Sequence, residues 1–318
     1  MDRFDFDGES IASRNNSREH PGYGRTMRFS HYFIMNIPTQ HDGCLISQVL
    51  SSTILFAGSV LCLRLVWQGL LSRAPRWTLT PTAVPRLQAR NWQTWDLRIL
   101  LVAILLPTLL NLCSTAEQQP PVSWQSLTPV LIYYAVVVAG VCVAAHRTRM
   151  GVTAALGITR ASLRPAIRAG ILLGLTALPP VLLAAGLWEW LLCALGMPVN
   201  RQAVFDTLAS SQLGPVAQGL LILLALVAAP VAEESLFRGV LLPFTLRHQR
   251  PLVALLLVNI LFATLHLHLP SFLPLLTIGC CLSLGMLTTG SILTPIIMHT
   301  IFNGEMLLLF YAWPQLAS

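Results

Sequence analysis

Apolar residues along this chain fall in long blocks separated by short polar connectors. The blocks cover about 45–70, 98–114, 127–146, 169–196, 213–246, 251–267, 271–288 and 291–312. Each is near or above the ~17 residues that a membrane-crossing helix needs. The pattern predicts an all-α fold, a polytopic membrane helix bundle of about eight transmembrane helices. Pro179-Pro180 lies inside the fourth block and is expected to be able to break it in two. The connectors at 71–97 and 147–168 are the only substantial ones, so the chain divides into three parts. Residues 1–43 are a flexible polar tail, 44–165 hold the N-terminal transmembrane helices, and 166–318 form a compact membrane core. The tail lacks the short apolar core of a cleaved signal peptide, and Met27 and Met35 are equally acceptable starts.

Composition agrees with a membrane protein: 54% of the residues are hydrophobic and only 10% charged, against roughly 25% charged in soluble domains. All 20 basic residues are arginine, and they give a net charge of +7. They collect in alternate connectors, as Arg73, Arg76, Arg86 and Arg90, then Arg147, Arg149, Arg160 and Arg164, then Arg247 and Arg250. The intervening connectors carry Glu117 in one case and Arg201 with Asp206 in another. By the positive-inside rule the arginine-rich connectors face the cytoplasm and both termini face outward. This is the charge pattern of a multi-pass cell-membrane protein whose surroundings are the lipid bilayer, and no nucleic-acid partner is expected. The seven cysteines, Cys44, Cys62, Cys113, Cys142, Cys193, Cys280 and Cys281, show no paired spacing and read as small buried hydrophobes.

Against this background the segment AEESLFRG, residues 232–239, is unexpected, because charge is costly within a spanning segment. On a helix Glu234 and Arg238 are four residues apart with the acid first, the favourable order for an ion pair. Glu233 is rotated about 100° away and is left free to accept a proton. Pro230 withholds the N–H that would bond the carbonyl of Leu226, which predicts a kink or an opening to water beside the acids.

The next block carries FATLH, with Phe262 and His266 on one face and Asn259 seven residues before the histidine on the same face. A hairpin through the RHQRP turn brings His266 to the depth of Glu233, where the two can share a water. The last block carries HTIFN, with His299 and Asn303 one turn apart. A carboxylate, two imidazoles and a carboxamide suffice to activate water and steady an oxyanion. His268, beside Pro270, reads as a hydrogen-bonded packing residue, and Glu189, between Trp188 and Trp190, as part of an interfacial anchor. Glu305 is either a minor site residue or a group near water.

EESLFR, FATLH and HTIFN, in that order, resemble the EExxxR, FxxxH and HxxxN signatures of the CPBP family. These are type II CAAX prenyl endopeptidases and bacteriocin-processing proteases, also called the Abi family. The similarity spans about residues 210–312 and implies an intramembrane endopeptidase whose catalytic core is the 166–318 region. It implies that Glu233 and His266 activate water, that His299 and Asn303 stabilise the oxyanion, and that Glu234 pairs with Arg238. It also implies no cofactor. The residue types leave a zinc alternative, with Glu233, His266 and His299 as ligands, although no HExxH pair is present. Two further readings are a catalytically silent scaffold or immunity protein of the same fold, and a proton-coupled transporter, for which no paired repeat is visible. The substrate class is a peptide or a membrane protein. A lysine-free, Ala/Leu/Arg-rich chain fits a GC-rich bacterial genome, in which prenylated CAAX proteins are not expected.

One conflict of depth follows from these positions. His266 is close to the Pro270 turn, whereas His299 is far from the opposite turn at 288–291. They meet only if the connection at 267–274 stays submerged or its helix is strongly tilted.

Overall fold

A computed structural model describes residues 82–113, 122–200, 202–209 and 213–312; the polar tail and the first apolar block lie outside them. Among the described residues there is no strand. In chain order the helices are α1 (Val84–Gln88), α2 (Thr94–Cys113), α3 (Trp124–Arg147), α4 (Val152–Ala155), α5 (Arg160–Ala194) and α6 (Ala203–Ala209). They continue as α7 (Pro215–His248), α8 (Pro251–Thr264), α9 (Phe272–Thr289) and α10 (Leu293–Ala312). Five of the spans among the described residues are long and apolar enough to cross a membrane, and the protein is a helical membrane bundle. Large apolar side chains such as Ile132, Val136, Leu183 and Leu187 are exposed on these helices, as lipid-facing positions are.

Three features differ from the sequence expectation. Pro179 and Pro180 do not break α5, which runs unbroken for 35 residues. Thr159 and Ser162 close a capping box at its start, and α10 and α9 pack along its length. Packing of this extent outweighs the backbone bonds that two prolines remove. The block 251–267 yields only the 14 helical residues of α8, ~21 Å at 1.5 Å per residue, short of a ~30 Å apolar layer. The cysteines are less buried than expected. Cys193 is exposed, and Cys142, Cys280 and Cys281 are half-buried, because a lipid-facing surface accepts a thiol as readily as a core does.

The seam of α5 against α10 rests on a small-residue pattern. A Cβ added at Gly170 would fall 2.8 Å from Ile297 Cβ, and one at Gly174 would fall 3.1 Å from Ile301 Cβ. Gly170 and Gly174 are four apart, as are Ile297 and Ile301, so the two helices run in the same direction with their backbones in close approach.

The arginine-rich connectors gather at one end of the bundle. Arg90 Nη2 donates to the Gly290 carbonyl at 2.6 Å, and Arg247 donates to Asn91 Oδ1 at 3.3 Å. Arg147 pairs with Asp96 at 3.1 Å, and the backbone N–H of Ile292 donates to Leu156 O at 3.0 Å. Gly290 itself, at φ +71°, ends α9 in the left-handed conformation that a side chain would strain. The described arginines of these connectors therefore flank one face of the fold.

Candidate active site

Helix α7 carries the EExxxR residues, and it is not a regular α-helix. Its turns widen to π geometry at Leu224–Ala228 and again at Ser235–Leu241. The first wide turn surrounds the defect made by Pro230. In α register proline deprives the Leu226 carbonyl of its N–H, and in π register it deprives that of Ala225. Both oxygens are met from α10: Thr300 Oγ1 donates to Leu226 O at 2.9 Å, and Asn303 Nδ2 donates to Ala225 O at 2.7 Å. The opening expected beside the acids is thus closed by two side chains of the last helix.

Glu234 and Arg238 lie on the inner face of α7, both 0% exposed. Arg238 Nη1 donates to Glu234 Oε1 at 2.9 Å, and Nη2 donates to Asn259 Oδ1 at 2.8 Å and to the Gly279 carbonyl at 3.1 Å. The guanidinium lies 4.5 Å from the centroid of the Phe262 ring, an added attraction in a dry setting. Asn259 Nδ2 passes the network on to Ser283 Oγ at 2.9 Å. A glycine is required at 279, since a Cβ there would stand 2.8 Å from Asn259 Oδ1. The ion pair read from the sequence is present, and it is the centre of a buried polar network joining α7, α8 and α9.

His299 belongs to the same network. Its Nδ1 meets Glu234 Oε1 at 2.8 Å, so one carboxylate oxygen receives both the arginine and the imidazole. This contact between α7 and α10 could not be read from spacing, which relates residues only within one helix.

Glu233 points elsewhere. It is half-buried and lines a cavity of about 260 Å³ together with His266, Phe262, Phe237, Leu236 and Leu265, and with Tyr133, Tyr134 and Val137 of α3. His266 Nδ1 is 2.8 Å from the carbonyl of Phe262. A carbonyl only accepts, so Nδ1 carries the proton and the neutral ring keeps its lone pair on Nε2. Phe262 forms the wall between the two groups of residues, with its ring centroid 4.9 Å from that of His266 and 6.3 Å from that of His299. In the sequence it was only the first position of a spacing.

The chain around His266 is short and irregular, which bears on the depth of this residue. Helix α8 ends at Thr264, before it can cross the apolar layer, and the chain turns through Leu267, whose φ of +51° is rare for leucine. A short 3₁₀ turn, Leu269–Ser271, follows. Trp188 of α5 holds this connection by donating Nε1 to Leu269 O at 2.8 Å, and its ring lies 6.2 Å from that of Phe272. Trp188 thus packs on this connection, and Glu189 beside it is exposed. His268 Nδ1 bonds Ser271 Oγ at 2.8 Å, a packing role.

Glu305 is 3% exposed in α10, and neither carboxyl oxygen has a hydrogen-bond partner among the described residues. It does not line the cavity. Among the described residues no three of His, Cys, Asp and Glu are grouped as a metal would require. Glu233, His266 and His299 belong to no such group.

In comparison with known proteins, residues 215–304 match the family described as type II CAAX prenyl endopeptidase Rce1-like. The matched residues contain all three motifs and bear out the resemblance read from them. No curated protein and no solved structure matches the chain.

Proposed function

We propose that this Rce1-like membrane protein is a glutamate-dependent endopeptidase that cleaves peptide or membrane-protein substrates by activating water. The observation that carries the reading is the separation of the two glutamates: Glu234 is buried with its Oε1 held by Arg238 and His299, whereas Glu233 faces a cavity shared with His266. Glu233 takes a proton from a water that His266 Nε2 helps to orient, and the water oxygen attacks the peptide carbonyl carbon. The family resemblance assigns the tetrahedral oxyanion to His299 and Asn303, which lie behind Phe262 and do not line the cavity in this arrangement. Glu234 holds His299 by Nδ1, which leaves Nε2 as the nitrogen that donates when the ring is protonated. The Asn303 amide keeps a second N–H beyond the one given to Ala225 O. Collapse of the intermediate breaks the C–N bond, and Glu233 returns its proton to the leaving amine. Apolar and aromatic residues line most of the cavity, which favours an apolar stretch of peptide beside the scissile bond.

The test is cleavage of a quenched-fluorescent peptide library by the purified protein in detergent, with and without exhaustive chelation. Cleavage that survives chelation is expected. An inactive wild-type protein would favour the silent scaffold or immunity reading. Activity lost on chelation and regained with zinc would make this a metalloprotease and the mechanism wrong.

The same reading places the protein in the cell membrane, as a multi-pass protein with its arginine-rich connectors inside. Cysteine labels test this at position 120 and on the turn after α3. Ala155, in α4 just beyond that turn, is buried, so Met150, which is 42% exposed, is the better position. A label at 150 should react from the cytoplasmic side and one at 120 from outside; reaction of both from one side would overturn the topology.

A further inference from the structure

The arginine-rich end of the bundle holds a cationic cluster that takes no part in the chemistry around Glu233. Arg90, between α1 and α2, is 4% exposed, and its Nη2 donates to the carbonyl of Gly290 at the turn from α9 to α10. Its Nη1 is buried and has no hydrogen-bond partner. Arg86, four residues earlier and exposed, converges on the same glycine: a Cβ added at Gly290 would lie 3.7 Å from both its Cζ and its Nη2. Ser291, next in the chain, is 0% exposed, and its hydroxyl also lacks a partner. No acid pairs with either arginine among the described residues; Asp96, at the same end, is taken by Arg147.

A buried charge without a counter-charge is costly, and in proteins such charges are paired as a rule. Burial and the charge of Arg86 push the Arg90 guanidinium down to about 10. The second arginine therefore adds to the cost of burying the first. The cluster is rich in donors, two guanidinium forks and a hydroxyl, and its one acceptor is a backbone carbonyl. Guanidinium forks match the oxygens of a phosphate, which takes hydrogen bonds from several donors at once. Basic pockets between membrane helices on the cytoplasmic side hold phosphate headgroups in this way. We infer that Arg86 and Arg90, with the Ser291 hydroxyl beside them, form a binding site for an anionic phosphate group, carried by a lipid headgroup or free in solution. A phosphate bound there ties the connector before α2 to the turn that starts α10, the helix that carries His299 and Asn303.

The test is binding to the full chain, purified in detergent and freed of lipid, read by native mass spectrometry and by the thermal midpoint. The probes are dioleoyl phosphatidylglycerol, inorganic phosphate, and dioleoylglycerol, which lacks the phosphate. Saturable binding of phosphatidylglycerol with a raised midpoint assigns the site to a lipid headgroup, and the same response to inorganic phosphate alone assigns it to the free ion. Arg86→Gln should weaken the binding by about 5- to 10-fold, and Arg90→Gln by about 10-fold or more. Arg250→Gln, which removes another exposed arginine of this end, should change it by less than about twofold. Arg86 is exposed and makes no hydrogen bond or ion pair among the described residues, so Arg86→Gln decides the matter even where Arg90→Gln is recovered poorly. The proposal is overturned by the absence of saturable binding of either phosphate probe, by equal binding of dioleoylglycerol, or by an affinity unchanged in Arg86→Gln. An equal loss in Arg250→Gln overturns it as well, since that marks a diffuse basic surface.

Discussion

Glu233→Gln should reduce peptide cleavage by about 10²- to 10⁴-fold, the contribution of a positioned general base, and leave folding and membrane insertion unchanged. Glutamine keeps the shape of the side chain, but it cannot take a proton from water. Glu233 is half-buried at a cavity rim and makes no ion pair with Arg238, which is committed to Glu234. The substitution therefore leaves no charge stranded, and the yield in detergent and the thermal midpoint should match the parent. Measurable turnover near the parental rate would sink the assignment, and a collapse in yield would show that Glu233 holds the fold.

The opposite profile is expected of Arg238→Ala. The guanidinium is wholly buried and serves three acceptors, Glu234 Oε1, Asn259 Oδ1 and the carbonyl of Gly279. Its removal strands the Glu234 carboxylate in a dry interior, with only His299 beside it, and frees two further oxygens. Breaking one partner of such a pair costs about 3–5 kcal/mol, a large share of a typical stability. The protein should be recovered in low yield with a lowered midpoint, and Glu234→Ala should behave alike. Arg238→Lys should rescue only partly, because an ammonium cannot reach three acceptors with the planar fork of a guanidinium. Normal stability in both alanine variants would rule out the network as a structural element.

These two profiles were legible in the sequence because they depend on positions within one helix. The order Glu, Glu, Arg at one turn's spacing separates the glutamates by rotation alone, and it survives even though part of α7 is π-helical. Contacts between helices were not legible in that way. Glu234 gains His299 from 65 positions away, and no periodicity within either block announces it. Asn259 was placed on the histidine face by its spacing, but its bond to Arg238 depends on how α8 packs against α7. Tyr133 and Tyr134 sit between apolar neighbours, so their sequence context is that of any lipid-facing helix, and the cavity they line with Glu233 was not legible. The length of α8 was overestimated because hydrophobicity continues to Leu267 while the backbone turns at Thr264; composition does not report where a helix stops without a cap or a proline.

The wide turn in α7 carries a constraint on sequence change. Pro230 leaves backbone oxygens without an N–H, and Thr300 and Asn303 supply the missing donors from 74 and 78 positions away in bond partners. Replacing proline alone restores a donor where two already stand, and replacing either side chain alone leaves a carbonyl between α7 and α10 without its donor. The three positions form one unit of substitution that spans two helices. Across related chains they should be gained and lost together, so that Asn303 is held in place by backbone geometry as well as by chemistry.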